Sequence, residues 1–244
     1  MRISSFSCYN FDKVVALKQF DRLELLVGNK INDIMDKTVL VLGLGGVGSY
    51  VCESLILSGI EKIIIVDNDK VDITNLNRQL MTTLDNIGKF KTDVWKERIK
   101  LINPNCQVID INTFIDRDNI DLLFNYDIDY FVDACDTIDT KVLAIKKCQE
   151  KGINVISCMG TGNKMNPSRL KITDISKTSY DKLAKVMRKK LKEVEIKHVT
   201  VVSSDEESYT KIDKTIPSNS FVPATAGLLI TSYIINDIVG DKNV

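Results

Sequence analysis

Val39-Leu40-Val41-Leu42-Gly43-Leu44-Gly45-Gly46-Val47-Gly48 is the stretch on which the reading of this chain turns. An apolar run of buried-strand length passes into Gly-x-Gly-x-x-Gly, which opens a segment, Ser49 to Ser58, that reads as a helix ending near Gly59. Strand, turn and helix in that order form a phosphate cradle. Gly43 permits the tight turn, Gly45 lets phosphate oxygens approach the main chain, and Gly48 lets helix and strand pack closely. The helix N-terminus adds free N–H donors. A nucleotide is the expected guest, but the glycines alone leave NAD, FAD and other nucleotides open.

The residues that follow narrow the choice. A second buried strand, Lys62-Ile63-Ile64-Ile65-Val66, ends in Asp67-Asn68-Asp69, nineteen residues past Gly48, where a carboxylate accepts ribose hydroxyls. Next come Asn75-Leu76-Asn77-Arg78-Gln79 and Lys91. A dehydrogenase works at its nicotinamide and has no need of amides and cations clustered here. An enzyme that splits ATP does: Arg78 and Lys91 would neutralise the leaving pyrophosphate, and Asn75 would hold a phosphate oxygen. Further on, Tyr130-Phe131-Val132-Asp133-Ala134-Cys135-Asp136 reads as a strand running into acidic residues at the carboxyl edge of the sheet, where open α/β folds bind ligands. Asp136 is placed either to hold Mg²⁺ on ATP phosphates or to cap the next helix, Thr140 to Lys151.

Strands and helices alternate through a third strand near Cys106 to Ile111, a short helix from Asp118 to Phe124, and a strand from Asn154 to Met159 that leads into Gly160-Thr161-Gly162. The pattern predicts a doubly wound, mainly parallel Rossmann-like sheet. Beyond it, Leu170 to Ile175 and His198 to Val202 alternate like strands around a helix from Tyr180 to Val194, and an apolar helix closes the chain. A strand-helix-strand and terminal helix thus extend the core. The expected organisation is one adenylation domain over 1–244: a helical lead-in (1–36), a nucleotide-binding core (37–160) and a substrate-side extension (161–244). In the lead-in, Val14, Leu17, Leu23, Leu26, Ile31 and Ile34 are expected to face the core, and Arg22 reads on its own as a solvated arginine. The Tyr180–Val194 helix carries Lys182, Lys185, Arg188, Lys189, Lys190 and Lys192. Such a stripe is either a solvated face or a contact for a phosphate backbone. His198, the only histidine, reads as structural rather than as a general base.

Composition bounds the rest. Thirty-three basic residues balance thirty-three acidic ones, so net charge argues for no partner class. The six cysteines are dispersed, with no C-x-x-C pair, and are expected to be reduced core residues. The N-terminus has no apolar signal core, and Ala224 to Val239 reads as too short for a membrane span, interrupted by Asn236-Asp237. A soluble cytoplasmic protein is expected.

Arg22, the glycine run, Asp67-Asn68-Asp69, the N-L-x-R-Q run, Lys91 and Asp133-Ala134-Cys135-Asp136 together resemble the adenylation core of the ubiquitin-activating-like superfamily. The resemblance implies that Gly43, Gly45, Gly46, Gly48, Asp67 and Asp69 bind ATP, that Asn75, Arg78 and Lys91 contact its phosphates, and that Asp136 holds magnesium. It also implies a homodimer in which Arg22 reaches the ATP of the neighbouring subunit. The reaction would be attack of a substrate carboxylate on the α-phosphate. Within the superfamily, Asn166-Pro167, Ile172-Thr173-Asp174-Ile175, Lys177-Thr178, the Asp181-to-Leu191 pattern and Phe221-Val222-Pro223-Ala224-x-x-Gly227 resemble the tRNA threonylcarbamoyladenosine dehydratases, departing at Lys182. These use ATP to cyclise a modified adenosine beside the anticodon. Lys185, Arg188 and Lys189 become the expected tRNA contacts, and a sulfur-transfer protein is a further expected partner. The alternatives are adenylation of a ubiquitin-like sulfur carrier, whose enzymes typically carry paired C-x-x-C zinc ligands, and a nucleotide-sensing module without chemistry.

Overall fold

The computed structural model describes residues 18–211 and 215–240. Val14, Leu17 and Cys8 lie outside them. Seven strands form one sheet: β1 (Thr38–Leu42), β2 (Lys62–Val66), β3 (Gln107–Ile111), β4 (Tyr130–Asp133), β5 (Asn154–Cys158), β6 (Leu170–Asp174) and β7 (Thr200–Ser204). Their order is β3-β2-β1-β4-β5-β7-β6, parallel throughout except for the antiparallel edge strand β6. The expected doubly wound sheet is present, and the C-terminal strands extend that same sheet.

The apolar runs follow from burial on both faces. Val39 and Val41 of β1 and Ile63 and Ile65 of β2 pack on one side, under α3 (Gly48–Leu57), α4 (Lys91–Ile102) and α7 (Phe221–Val239). Their neighbours Leu40, Leu42, Ile64 and Val66 point to the other side and meet Ala144 and Cys148 of α5 (Ile138–Lys151). Helix α6 (Lys182–Glu193) seals the β7 end through Met187 and Leu191. The central strands β1, β2 and β4 therefore read as near-continuous apolar runs, whereas β3 and the edge strand β6 carry polar residues between apolar ones.

Several local expectations change. The lead-in is two short helices, α1 (Asp21–Val27) and α2 (Lys30–Met35), separated at Gly28-Asn29. Ile31 and Ile34 are buried as expected, Leu23 is half-buried, and Leu26 is 81% exposed because the break turns α1 away from the core. The predicted helix at Asp118–Phe124 is a 3-10 segment, Ile120–Asn125. His198 precedes β7, is exposed, and sits with Nδ1 3.3 Å from Asp174 Oδ2. Helix α7 starts at Phe221 and so reaches 19 residues, long and apolar enough by length and composition to cross a membrane. Here it buries Val222, Ala226, Ile230 and Ile234 in the core.

Candidate active site

The strand ends fall in one row. Leu42 is in register with Val66 on one side and with Asp133 on the other, and Asp133 is in register with Ser157. The chain leaves β1 for β2 on one side and reaches β4 on the other, so a crevice opens between the turns that follow β1 and β4. It is a cleft of about 420 Å³. Gly43, Gly45, Gly46, Asp67, Asp69, Asn75, Arg78, Lys91 and Asp136 all line it, brought together from five separate segments.

Gly43 has φ +92°, and a Cβ there would stand 2.7 Å from the carbonyl oxygen of Ala134. Gly48 lies behind the loop, where a Cβ would fall 1.8 Å from the Gly43 oxygen. These two glycines hold the turn against β4, while Gly45 faces open space, its nearest neighbour being Gln79 Nε2 at 4.0 Å. Asp67 fastens the loop from the other side: its Oδ2 accepts from the Leu44 N–H at 2.7 Å and its Oδ1 from the Asp69 N–H at 2.8 Å. Burial pushes the Asp67 carboxyl above its ordinary range, with Lys91 and these two N–H groups pulling it back. The Lys91 ammonium, itself buried, lies 2.7 Å from Asp69 Oδ2 and 3.8 Å from Asp67 Oδ2. Arg78 donates to the Thr74 carbonyl and to Asn77 Oδ1, both at 2.9 Å. Asn75 closes a capping box with Asp72.

Asp136 is exposed on the cleft wall. The residue before α5 is Thr137, and no side chain among the described residues caps that helix, so the capping alternative for Asp136 does not hold. One free carboxylate facing a phosphate cradle fits magnesium, which takes one or two carboxylates together with phosphate oxygens. Beneath it, Asp133 is fully buried, 3.0 Å from Lys141 Nζ and 2.6 Å from Ser157 Oγ. Burial works against the Lys141 charge, yet Asp133, together with the Cys135 and Cys158 sulfurs, holds the ammonium above its ordinary pKa. Cys135 lines the cleft with its thiol donating to Asp133 Oδ1 at 3.2 Å, and burial and that carboxylate push the thiol well up. In this arrangement the thiol serves as a hydrogen-bond donor. Cys52, Cys106, Cys148 and Cys158 are buried and free, as the sequence suggests.

Gln79 and the loop Thr113-Phe114-Ile115 line the cleft without having been singled out as site residues. The loop was findable, since it follows the carboxyl end of β3. Gln79 Oε1 is buried with no hydrogen-bond partner among the described residues. Leaving such an acceptor empty costs about 1–3 kcal/mol. Arg22 is exposed on α1 and does not line the cleft. Lys185 and Lys189 are exposed on α6, whereas Arg188 is half-buried and donates to the Thr178 carbonyl at 3.1 Å.

A parallel sheet with a glycine cradle, paired cations and a free carboxylate at its switch point defines a nucleotide-binding α/β protein equipped to act on phosphates. The ThiF family description matches residues 18–243, and the chain belongs to that family. It is 42% identical to the tRNA threonylcarbamoyladenosine dehydratase of Bacillus subtilis, across 92% of this chain and 96% of that one. It is 35% identical to the Escherichia coli protein of the same name, across 72% of this chain and 66% of that one. The crystal structure of E. coli tRNA N6-threonylcarbamoyladenosine dehydratase, TcdA, superimposes with a TM-score of 0.87 at 30% identity, covering 93% of this chain and 98% of that one. TcdA has also been solved in complex with ATP, with a TM-score of 0.85 to this chain.

Proposed function

We propose that this protein is an ATP-dependent tRNA-modifying enzyme that cyclises threonylcarbamoyladenosine with net loss of water. The observation that carries the reading is the convergence of Gly45, Asp67, Arg78, Lys91 and Asp136 on one cleft, in a chain aligned almost end to end with a dehydratase of that name. ATP would lie with its phosphates over the glycine turn, its ribose toward Asp67 and its base against Phe114 and Ile115.

The substrate carboxylate attacks the α-phosphorus, an acyl–phosphate bond forms, and the bond to pyrophosphate breaks. A nucleophilic atom of the carbamoyl group then attacks the activated carboxyl carbon and releases its proton to solvent, closing a ring. AMP leaves with the former carboxylate oxygen, which accounts for the lost water. Arg78 and Lys91 spread the charge that builds on the phosphates, and Lys91 would turn to them from Asp69. Magnesium, held by Asp136, would supply further neutralisation of the phosphates. Positioning accounts for much of the rate, because the second step is intramolecular. The extension over 161–244 would present the tRNA, with Lys185 and Lys189 on its phosphates and Arg188 anchoring the helix. The working unit would be a homodimer with Arg22 donated across the interface. Acting on tRNA, the enzyme belongs in the cytoplasm.

The test is pyrophosphate release from ATP in the presence of tRNA bearing threonylcarbamoyladenosine, tRNA without it, or a ubiquitin-like carrier protein. Release with the modified tRNA alone is expected. Release that requires the carrier would transfer the protein to the sulfur-carrier branch, and nucleotide binding without any release would leave a sensor.

A further inference from the structure

Below the cleft floor lies a set of polar groups that no step above employs. Lys141 Nζ, on α5, reaches three acceptors: Asp133 Oδ2 at 3.0 Å, the Cys158 carbonyl at 2.9 Å and Ser157 Oγ at 3.5 Å. Asp133 ends β4, and Ser157 and Cys158 end β5. Lys141, Asp133 and Ser157 are all fully buried. A buried ion pair is weak support for stability, since apolar groups of the same shape commonly do as well. Its placement suggests a different use. The turn after β4 carries Cys135 and Asp136, and the turn after β5 carries Gly160-Thr161-Gly162, so one ammonium ties together the roots of two loops on the same edge. The other Asp133 oxygen takes the Cys135 thiol, one residue before Asp136.

We propose that the Asp133–Lys141 pair, with Ser157 and the Cys135 thiol, is a positioning device that fixes the Asp136 carboxylate against the nucleotide and against the Gly160–Gly162 loop. None of the four need touch ATP. The inference rests on the reading that Asp136 serves metal-bound ATP. A side chain that supports a reacting group from behind governs rate more than binding, because small displacements of that group cost about 10- to 100-fold.

Removing one partner alone would leave a buried charge uncompensated, so the informative variant is the neutral double replacement Asp133→Asn with Lys141→Met. Three quantities are compared with wild type: melting temperature, ATP affinity by calorimetry with and without Mg²⁺, and the single-turnover rate of pyrophosphate release at saturating ATP with modified tRNA. The expected result is a folded protein whose metal-free ATP affinity stays within about threefold of wild type. Its gain in affinity on adding Mg²⁺ should largely vanish, and its single-turnover rate at saturating ATP should fall at least about tenfold. A folded double variant with the wild-type metal gain and the wild-type rate overturns the proposal. If the double variant does not fold, Cys135→Ala decides: it removes only the thiol donor, and a smaller loss in both readouts is expected, while wild-type values in both overturn the idea. Absence of pyrophosphate release from wild type would sink the substrate reading alone, since the metal-dependent ATP affinity still tests the pair. A wild type whose ATP affinity ignores Mg²⁺ overturns the positioning role as well.

Discussion

Gly45 and Gly48 stand three residues apart and answer to different constraints, which substitution by alanine should separate. A methyl group at Gly48 would fall 1.8 Å from a backbone oxygen, so Gly48→Ala is expected to cost roughly 3 kcal/mol or more of stability in urea unfolding. Gly45 has open space before it, and Gly45→Ala should stay within about 1 kcal/mol of wild type while its ATP Kd rises about tenfold or more. Asp67 offers a second test. Its carboxyl lies above its ordinary pKa because it is buried, so the folded chain holds that proton more tightly than the unfolded chain does. Stability contributed by this group is therefore present at low pH and declines as pH rises from the unfolded pKa through the raised folded one. Asp67→Asn removes that penalty, so its melting temperature relative to wild type should climb as pH rises from about 4 toward neutrality, even as ATP binding is lost. A constant difference across that range would mean that Lys91 and the two N–H groups fully offset the burial. At this scale the sequence was legible wherever chemistry follows chain order: Asp67 and Asp136 come directly after strands that are recognisable by their apolar runs. The unpartnered oxygen of Gln79 and the Lys141 cross-tie were not, because each depends on residues far away in the chain meeting in space.

The elements divide in the same way. Helix α6 was readable as a helix, expected over Tyr180 to Val194 and found over Lys182–Glu193, where Ala184, Met187 and Leu191 form its buried side. Which of its cations are free was not readable, because Arg188 and Lys189 are adjacent in sequence and only the fold decides that Arg188 turns to Thr178. Lys182, Lys185, Lys189 and Lys192 are exposed at intervals of three, four and three residues, which places them along one side of the helix. At 1.5 Å per residue that row extends about 15 Å, the scale of a few phosphates along a nucleic acid strand. Lys185→Glu with Lys189→Glu should weaken tRNA binding and make its dependence on salt shallower by about two in the log–log slope, with ATP affinity unaltered. Arg188→Ala should act differently, lowering the melting temperature through loss of the Thr178 contact. Unchanged tRNA affinity in the double reversal would assign the row to solvation. The lead-in shows the limit of periodicity: a single amphipathic pattern ran across Gly28, yet the chain breaks there and leaves Leu25 and Leu26 exposed.

For the whole molecule, alternation of strands and helices was enough to give a parallel sheet with its site at the carboxyl edge, because crossover connections leave few other arrangements. The placement of β7 beside β5 with β6 antiparallel at the edge was not fixed by any pattern, since it depends on how α6 packs. Assembly is a further step. Arg22 sits exposed on α1, outside the cleft, and beside it Leu25 and Leu26 are 88% and 81% exposed. Two large aliphatic side chains at that exposure on one short helix form an apolar surface, and in the homodimer proposed above a second copy would be its cover. If two-fold symmetry brings α1 of each subunit to the other's cleft, every site takes its Asp136 from one chain and its Arg22 from the other. Arg22→Ala and Asp136→Ala should then each be nearly inactive in pyrophosphate release while keeping their melting temperatures. In a mixed dimer, the subunit with Asp136 intact receives an intact Arg22, and the other site lacks both. Random exchange makes half of the dimers mixed, each with one competent site of two, so activity should return to roughly a quarter of wild type. Exchange is verified by native mass spectrometry of differently tagged chains. Recovery near a quarter establishes donation across the interface; mixed dimers that remain inactive would mean that Arg22 serves its own chain.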